Sequence, residues 1–180
     1  MPEKDLGQII ASCKRADQIC FSQLVDIYSS RMFGYFYRLT GNRNTSDELL
    51  SELFVKLVER IGQYRGGSFD SWIFRVASNL FYDHLRDKQR QQGLIAEHAK
   101  RLEEDERSGR RIEAADDGGE DADRLQKQLG RVDEQTREVI MLRYYSDMSF
   151  KEISEMRGEP IGTTISKVHR GLKKLRELME

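Results

Sequence analysis

Basic side chains recur at helical spacing near the end of the chain, in a pattern suited to holding phosphate. Residues 161–176 contain five basic residues and no acidic one, and Lys167, Arg170 and Lys174 lie three and four positions apart. Residues with this spacing share one face of a helix. Lysine and arginine bind phosphates and can reach base edges in the major groove, so this face predicts contact with DNA. The alternative is a solvated helix exterior.

A second stripe of polar and basic residues lies in the middle of the chain. Its members are spaced by four, three, four and four positions: Arg75, Asn79, Tyr82, Arg86 and Arg90. A tyrosine among arginines favours nucleic acid, because its ring can stack on an unpaired base. The alternative is again an ordinary helix exterior. The glycine loop before the stripe, residues 64–68, has neither the GxGxxG spacing nor the preceding strand of a phosphate-binding loop.

The sequence offers no pattern typical of catalysis or metal binding. No Ser-His-Asp, HExxH or Walker arrangement is present, and none of the histidines has a partner at ligand spacing: His84, His98 and His169. Cys13 and Cys20 are too few for a disulfide framework, and we expect small buried residues rather than ligands. We therefore expect no active site, no metal and no cofactor.

The elements that must position these stripes are helices. In the first half of the chain, apolar residues at three-and-four spacing predict a helix over 21–39, which Gly41 ends. A capping box, with Thr45 as the cap and Glu48 reaching back, opens the next helix. A long helix over about 69–90 then carries the stripe with Tyr82.

The last third of the chain has the helix caps and the turn residues of a helix-turn-helix. Asp133 begins one helix, and a capping box of Ser149 and Glu152 opens a short second one. Residues 158–160, Gly-Glu-Pro, form a turn, after which Thr163 caps the final basic helix. A short helix, a turn and a basic helix are typical of this DNA-binding motif.

Composition and charge divide the chain in two. Its 180 residues are 38% hydrophobic and 34% charged, which suits small, helix-covered domains. Residues 94–124 hold six basic and eleven acidic residues, the composition of a solvated linker. We predict an all-α fold with two small helical domains, 1–93 and 124–180, joined by a flexible acidic linker, 94–123. No apolar run reaches bilayer length and no signal peptide is present, so we expect a cytoplasmic protein without membrane insertion.

Three motifs, in order along the chain, carry a resemblance to a known family. They lie at Asp47–Phe54, at Tyr64–Phe69 with Trp72–Leu80 and Asp83–Arg86, and at Arg137–Ile140, Ser149–Glu155 and Gly162–Arg170. In these segments the chain resembles the extracytoplasmic-function (ECF) group of bacterial sigma factors, the initiation subunits of RNA polymerase. The resemblance implies that residues 1–93 form sigma region 2 and residues 124–180 form sigma region 4.

The resemblance also assigns roles to residues. Region 2 would bind core RNA polymerase, at the clamp helices of the largest subunit, through Asp47, Glu48, Glu52 and Leu53. It would capture an unstacked base of the promoter −10 element and contact its backbone through Tyr64, Arg65, Gly66, Ser68, Arg75, Asn79, Tyr82 and Arg86. Region 4 would bind the −35 duplex, through Thr163, Thr164, Ser166, Lys167, Arg170 and Lys174.

Further partners follow from the same resemblance. Region 4 would contact the flap of the second-largest polymerase subunit, and the acidic linker would run towards the basic nucleic-acid channels of polymerase. An anti-sigma factor is an expected regulator. Polymerase, not this chain, would perform nucleotidyl transfer.

The chain departs from the family at a few positions. The family usually has apolar residues where Arg157 and Glu159 stand, so we expect this turn to pack loosely. Gly171 replaces a better helix former, at a cost of roughly 0.5–1 kcal/mol relative to Ala. The usual prolines near Val132 and Asp133 are missing.

Two other classes of protein remain as alternatives. A helix-turn-helix regulator with an N-terminal sensing or dimerisation domain explains the last fifty residues equally well. It does not explain the second basic helix or the acidic helix before it. An anti-sigma or adaptor protein that binds polymerase without DNA does not fit the acid-free stripe of residues 161–176.

Overall fold

The computed structural model describes residues 3–15, 18–101 and 120–179; of residues 3–5, 18, 93–101 and 120–123 it describes the backbone only. Over these residues the chain is helical and contains no strand, which confirms the predicted all-α fold. None of the described helices is long and apolar enough to cross a membrane. The helices are α1 Glu3–Cys13, α2 Gln18–Thr40, α3 Arg43–Arg60, α4 Phe69–Arg101, α5 Glu120–Leu129, α6 Glu134–Tyr144, α7 Phe150–Arg157 and α8 Ile161–Met179, with a 3-10 turn at Ile61–Gln63.

The start of α3 differs from the prediction by one helical turn. Gly41 ends α2 as expected, with φ of 65° and its amide donating to the Tyr37 carbonyl at 2.8 Å. The cap of α3 is then Asn42, whose side-chain oxygen accepts from the Thr45 amide at 2.9 Å. The prediction of Thr45 as the cap is wrong, because its amide already lies in the first turn that Asn42 caps.

The N-terminal domain, α1–α4, packs around large apolar side chains of α2 and α4. Fully buried members of this core are Leu24, Met32, Tyr35, Phe36, Leu39, Leu53, Leu57, Ile73, Phe74 and Phe81. Cys13 and Cys20 lie on different helices, α1 and α2; both are buried and neither forms a disulfide, which confirms that they are small core residues. Helix α4 extends well past the expected end near residue 90, so it projects beyond the domain core.

The C-terminal domain, α5–α8, has the predicted helix-turn-helix order in α7 and α8. Asp133 caps α6, and Ser149 and Glu152 form the reciprocal capping box of α7, as expected from the sequence. The predicted cap at Thr163 is wrong. Helix α8 begins at Ile161, and the Pro160 carbonyl already accepts from the Thr163 amide at 2.9 Å, so Thr163 lies inside the first turn.

Gly171 permits close contact between α8 and α6. A Cβ added at this position would lie 2.5 Å from Thr136 Cγ2 and 2.6 Å from Ile140 Cδ1, both too short for real contacts. The absence of a side chain therefore lets the basic helix seat against α6. This packing explains why a poor helix former stands in the middle of α8.

The two domains share an interface, which the sequence did not predict. Tyr145, the C-cap of α6, packs over α2, where its hydroxyl donates to the Arg31 carbonyl at 3.1 Å and the Arg38 guanidinium stacks 4.9 Å from its ring. A Cβ at Gly34 would lie 2.5 Å from the Tyr145 hydroxyl, so a side chain at this position would have to displace the Tyr145 ring. The Arg137 guanidinium of α6 also donates to the Leu39 carbonyl of α2.

Candidate nucleic-acid interfaces

The basic helix α8 exposes most of the residues predicted to contact DNA. Thr163, Ser166, Arg170 and Lys174 are all exposed on one side of the helix. The Arg170 Nε donates to the Ser166 carbonyl at 3.3 Å, which leaves the rest of its guanidinium free for an outside acceptor. Val168 and Leu175 are buried on the other side, so the packing face and the polar face are separate.

Two residues of α8 that were predicted to contact DNA bind Glu159 instead. Thr164 is fully buried, and its hydroxyl donates to Glu159 Oε1 at 2.8 Å. The prediction of a base contact by Thr164 is therefore wrong for this conformation. Lys167 is half-buried, and its ammonium pairs with Glu159 Oε2 at 2.5 Å. Although burial acts to raise it, these two donors hold the pKa of Glu159 below its usual value.

The turn before α8 is well packed, contrary to the expectation of a loose turn. The side chains of Arg157 and Glu159 are only 9% and 15% exposed, and the Arg157 Nε lies 3.5 Å from Glu159 Oε1. Charged residues at these two positions therefore replace apolar packing by ion pairs. Gly158 lies between them with φ of 63°, the left-handed conformation that ends α7.

The stripe on α4 is partly exposed and partly covered by the C-terminal domain. Arg75, Asn79 and Arg86 are exposed. Tyr82 is half-buried, because its ring packs under the Arg157 guanidinium at 5.1 Å. A cleft of about 430 Å³ opens beside it between α4 and α7. Residues from both helices line this cleft: Asn79, Tyr82 and Arg86 from α4, and Met156 and Arg157 from α7.

A buried carboxylate lies under this stripe. Glu138 of α6 is completely buried and accepts hydrogen bonds from Ser78 and Tyr82 of α4 and from Arg157 of α7. Burial raises the pKa of Glu138, while the hydrogen bonds from Ser78 and Tyr82 act in the opposite direction. Burial alone would lower the pKa of Arg157, but the Glu138 carboxylate raises it, so the guanidinium stays charged.

Sequence reasoning gave Glu138 and Arg157 no functional role. The available signal was an acidic residue directly before the apolar segment Val139–Leu142, because a charge beside buried residues needs a partner. The partner lies on another helix, 19 positions along the chain.

The loop before α4 is held by aromatic packing. The Tyr64 hydroxyl donates to the Gly67 carbonyl at 2.6 Å, and its ring meets Phe69 edge-on with centroids 5.3 Å apart. Gly66, with φ of 104°, adopts a backbone conformation that other residues rarely accept. Arg65 and Ser68 are exposed on this loop and remain available to an outside partner.

The acidic face of α3 is exposed, with apolar residues beside it. Asp47, Glu48 and Glu52 all face solvent. Val55 and Val58, also on α3, are 58% and 54% exposed. Leu53 is completely buried in the domain core, so the prediction that it contacts a partner is wrong. The exposed valines are the better candidates for an apolar contact.

Comparison with known proteins gives the same family for both domains. The Sigma-70 region 2 family model matches residues 24–91, and the Sigma-70 region 4 model matches residues 122–175. The ECF RNA polymerase sigma factor SigW of Bacillus subtilis is 29% identical over 174 residues, 93% of each chain. The RNA polymerase sigma factor CarQ of Myxococcus xanthus is 29% identical over 165 residues, 90% of each chain.

A solved structure shares the fold. The sigma factor RpoE of Bartonella quintana, in complex with the anti-sigma factor NepR, superposes with a TM-score of 0.71 at 22% identity, over 88% of this chain and 96% of that one. Both the sequence relatives and the two family models point to one assignment. The chain belongs to the sigma-70 family of RNA polymerase sigma factors, in its extracytoplasmic-function group.

Proposed function

We propose that this chain acts as an alternative sigma factor, which binds core RNA polymerase and directs initiation at promoters with particular −10 and −35 elements. The observation that carries the proposal is the presence of two exposed basic surfaces, on α4 and α8, in domains that match sigma regions 2 and 4. A regulator with a single helix-turn-helix would need only the second surface.

The acidic face of α3 is the proposed binding site for core polymerase. Asp47, Glu48 and Glu52 would meet basic residues of the clamp helices in the largest subunit, and Val55 and Val58 would add an apolar contact. Opposite charge speeds association and fixes orientation, whereas the apolar pair would contribute buried area. The C-terminal domain would contact the flap of the second-largest subunit.

The loop before α4 and the exposed stripe on α4 are the proposed −10 site. Capturing a base from the duplex requires an unstacking energy of a few kcal/mol, which stacking and cationic contacts offset. Asn79 offers hydrogen bonds to a base edge, and Tyr82 offers a stacking face. Arg65, Arg75 and Arg86 would neutralise the backbone of the opened strand, and Ser68 would donate to it, while Tyr64 and Gly66 shape the loop.

Helix α8 is the proposed −35 site, in the major groove. Arg170 lies at the middle of the exposed face and is suited to a bidentate contact with a base edge. Lys174 lies near its end and is suited to phosphate, and Thr163 and Ser166 can donate to either. Lys167 reaches DNA only after it leaves Glu159.

This role requires no chemistry from the chain itself. Polymerase would form the phosphodiester bond, and the chain would act in the cytoplasm, where polymerase and promoter DNA meet. Because the similar structure is that of a sigma factor held by an anti-sigma factor, we also propose that an anti-sigma protein regulates this chain.

Reconstitution with purified core polymerase tests the function. We expect the full chain to co-purify with core polymerase and to support run-off transcription from a subset of a promoter library. Core polymerase alone should leave that subset silent. A chain that binds duplex DNA but neither binds polymerase nor supports transcription would instead be a helix-turn-helix regulator.

A further inference from the structure

A lysine after the first helix holds the first residue of the loop before α4. The Lys14 ammonium donates a hydrogen bond to the Tyr64 carbonyl at 2.6 Å and lies 5.2 Å from the centre of the Tyr64 ring. The two residues are 50 positions apart in the chain. A charge-assisted hydrogen bond and a cation–π contact on the same residue restrict both the backbone and the ring of Tyr64.

The backbone of Lys14 is fixed by α1. Its amide donates to the Ile10 carbonyl at 3.0 Å, which continues the hydrogen bonds of α1 by one residue. Ile10 and Cys13, in the last turn of α1, are buried in the domain core. The ammonium therefore reaches the loop from a helix that is itself packed in place. Helix α1 lies outside residues 24–91, the part of the chain that the region 2 family model matches.

The other end of the loop is held as well. Asp70, in the first turn of α4, accepts from the Tyr28 hydroxyl at 2.5 Å and from the Arg31 guanidinium at 2.7 Å, both on α2. Between these two anchors, Gly66 and Gly67 have φ of 104° and 90°, conformations that residues with a side chain rarely adopt. Two successive glycines leave the middle of the loop deformable, so its shape depends on how its ends are held.

Tyr64 connects the contact with Lys14 to the middle of the loop. Its hydroxyl donates to the Gly67 carbonyl at 2.6 Å. Its ring contacts the rings of Phe69 and Trp72 of α4, at centroid distances of 5.3 and 5.6 Å. A shift of Tyr64 would therefore move the Gly67 carbonyl and change the shape that the loop offers to a base.

We propose that Lys14 is a positioning residue for the −10 site, which holds the Tyr64–Ser68 loop in the shape that receives the base extruded from the promoter. A preformed loop binds the base without a further cost of ordering, which favours both affinity and discrimination between bases. Lys14 contacts the loop and not the base, so it acts through Tyr64. The inference rests on the proposed function, because it takes this loop as the −10 site.

The single tryptophan of the chain reports on the loop without DNA. Trp72 is the only tryptophan among the 180 residues, and its ring lies 5.6 Å from that of Tyr64. In the free full chain, Lys14→Ala should increase the quenching of Trp72 fluorescence by acrylamide about twofold, because the Tyr64 ring would leave Trp72 more often. Equal quenching in the wild type and in Lys14→Ala would overturn the proposal.

Arg15→Ala is the matched control for this measurement. It removes a neighbouring exposed positive charge, whose guanidinium donates to the Ser12 hydroxyl at 3.0 Å. We expect wild-type quenching in Arg15→Ala. The same increase in both variants would assign the effect to charge or to the α1–α2 turn, and would remove the role of the Lys14–Tyr64 contact.

Promoter binding by the holoenzyme, reconstituted from the full chain and core polymerase, tests the consequence for base capture. The probes are promoters that the wild-type holoenzyme transcribes, with single substitutions throughout their −10 and −35 elements. Lys14→Ala should weaken binding about fivefold and reduce discrimination at −10 positions, with wild-type discrimination at −35 positions. Lys14→Arg keeps a cation and a donor and should restore both properties. Reduced discrimination at both elements, or at neither, would contradict a positioning role.

The salt dependence of promoter binding separates positioning from direct contact with phosphate. If Lys14 acts through the loop, Lys14→Ala should leave the slope of the logarithm of the binding constant against that of salt concentration unchanged. A slope smaller in magnitude by about 0.7–0.9 would mean that Lys14 neutralises a phosphate, and the positioning role would be wrong. If the wild-type holoenzyme transcribes no promoter, the proposed function fails and the positioning role fails with it. A failure confined to the Lys14 variants leaves the proposed function standing.

Discussion

Replacing Gly171 by alanine tests how closely α8 must approach α6. The change adds one Cβ, which would lie 2.5 Å from Thr136 Cγ2 and 2.6 Å from Ile140 Cδ1. An alanine in a helix interior normally stabilises by about 0.5–1 kcal/mol relative to glycine. Overpacking a filled core costs about 1–3 kcal/mol. The second effect should win, with a net loss of about 1 kcal/mol in the free energy of unfolding.

The assay is urea denaturation of the full chain, with a matched glycine as the control. A loss of about 1 kcal/mol lowers the midpoint by roughly 0.5 M for a typical dependence on urea. Gly162→Ala, also in α8 but with nothing within 4 Å of its added Cβ, should leave stability unchanged or raise it by about 0.5 kcal/mol. Thr136→Ser removes the nearest obstructing methyl and should restore part of the loss in the double variant.

One result would refute this reasoning. If Gly171→Ala raises the midpoint as Gly162→Ala does, then Thr136 and Ile140 move aside at little cost. Glycine at position 171 would then have no packing role.

Four other substitutions test the proposed surfaces, and a fifth tests the capping box of α7. Glu48→Lys should weaken binding to core polymerase by roughly tenfold or more in a pull-down titration, with an unchanged melting temperature, and equal binding would remove α3 from the interface. Asn79→Ala should impair transcription from duplex promoters more than from templates opened around −10, whereas equal defects would indicate a structural role. Arg170→Ala should weaken the free energy of DNA binding by about 1–3 kcal/mol and relax the sequence preference at one base pair. Lys174→Ala should reduce the salt dependence of the binding constant by about one unit of slope and leave the sequence preference unchanged. A mutation scan of the −35 element distinguishes the two. Glu152→Gln should reduce the acid dependence of stability, measured by thermal melts across pH. Hydrogen bonds from Ser149 lower the folded-state pKa of Glu152, so its contribution is full above the ordinary value of 4.5 and is lost as pH falls through the lower one.

Local signals in the sequence predicted much of this fold. The caps at Asp133 and Ser149 and the stop at Gly41 depend on contacts within a few residues, and each is confirmed. The cap at Asn42 was missed because Thr45 and Glu48, three residues apart, also match the capping-box pattern. Such competition between neighbouring candidates is decided by the exact path of the chain between two helices.

The burial of individual site residues was harder to predict. Periodicity places Thr164 near the polar face of α8, but it does not show that Glu159 folds back over that residue. In the same way, Leu53 belongs to a motif that resembles a binding site, while its side chain fills the core. The Glu138–Arg157 ion pair joins α6 to α7 beneath α4, and no local sequence pattern predicts a contact between these helices.

The length of α4 fixes the direction in which the chain leaves the N-terminal domain. Its 33 residues form a rod about 50 Å long, so its C-terminal end lies far from the loop that precedes it. Each residue removed from the distal part turns the exit point by about 100° around the helix axis and draws it back by about 1.5 Å. Deleting seven residues from the distal part of α4 removes nearly two full turns, so the helix end keeps its side of the axis. Deleting two residues moves the helix end to the opposite side. The number of residues in this helix thus sets where its last residue, Arg101, lies around the helix axis.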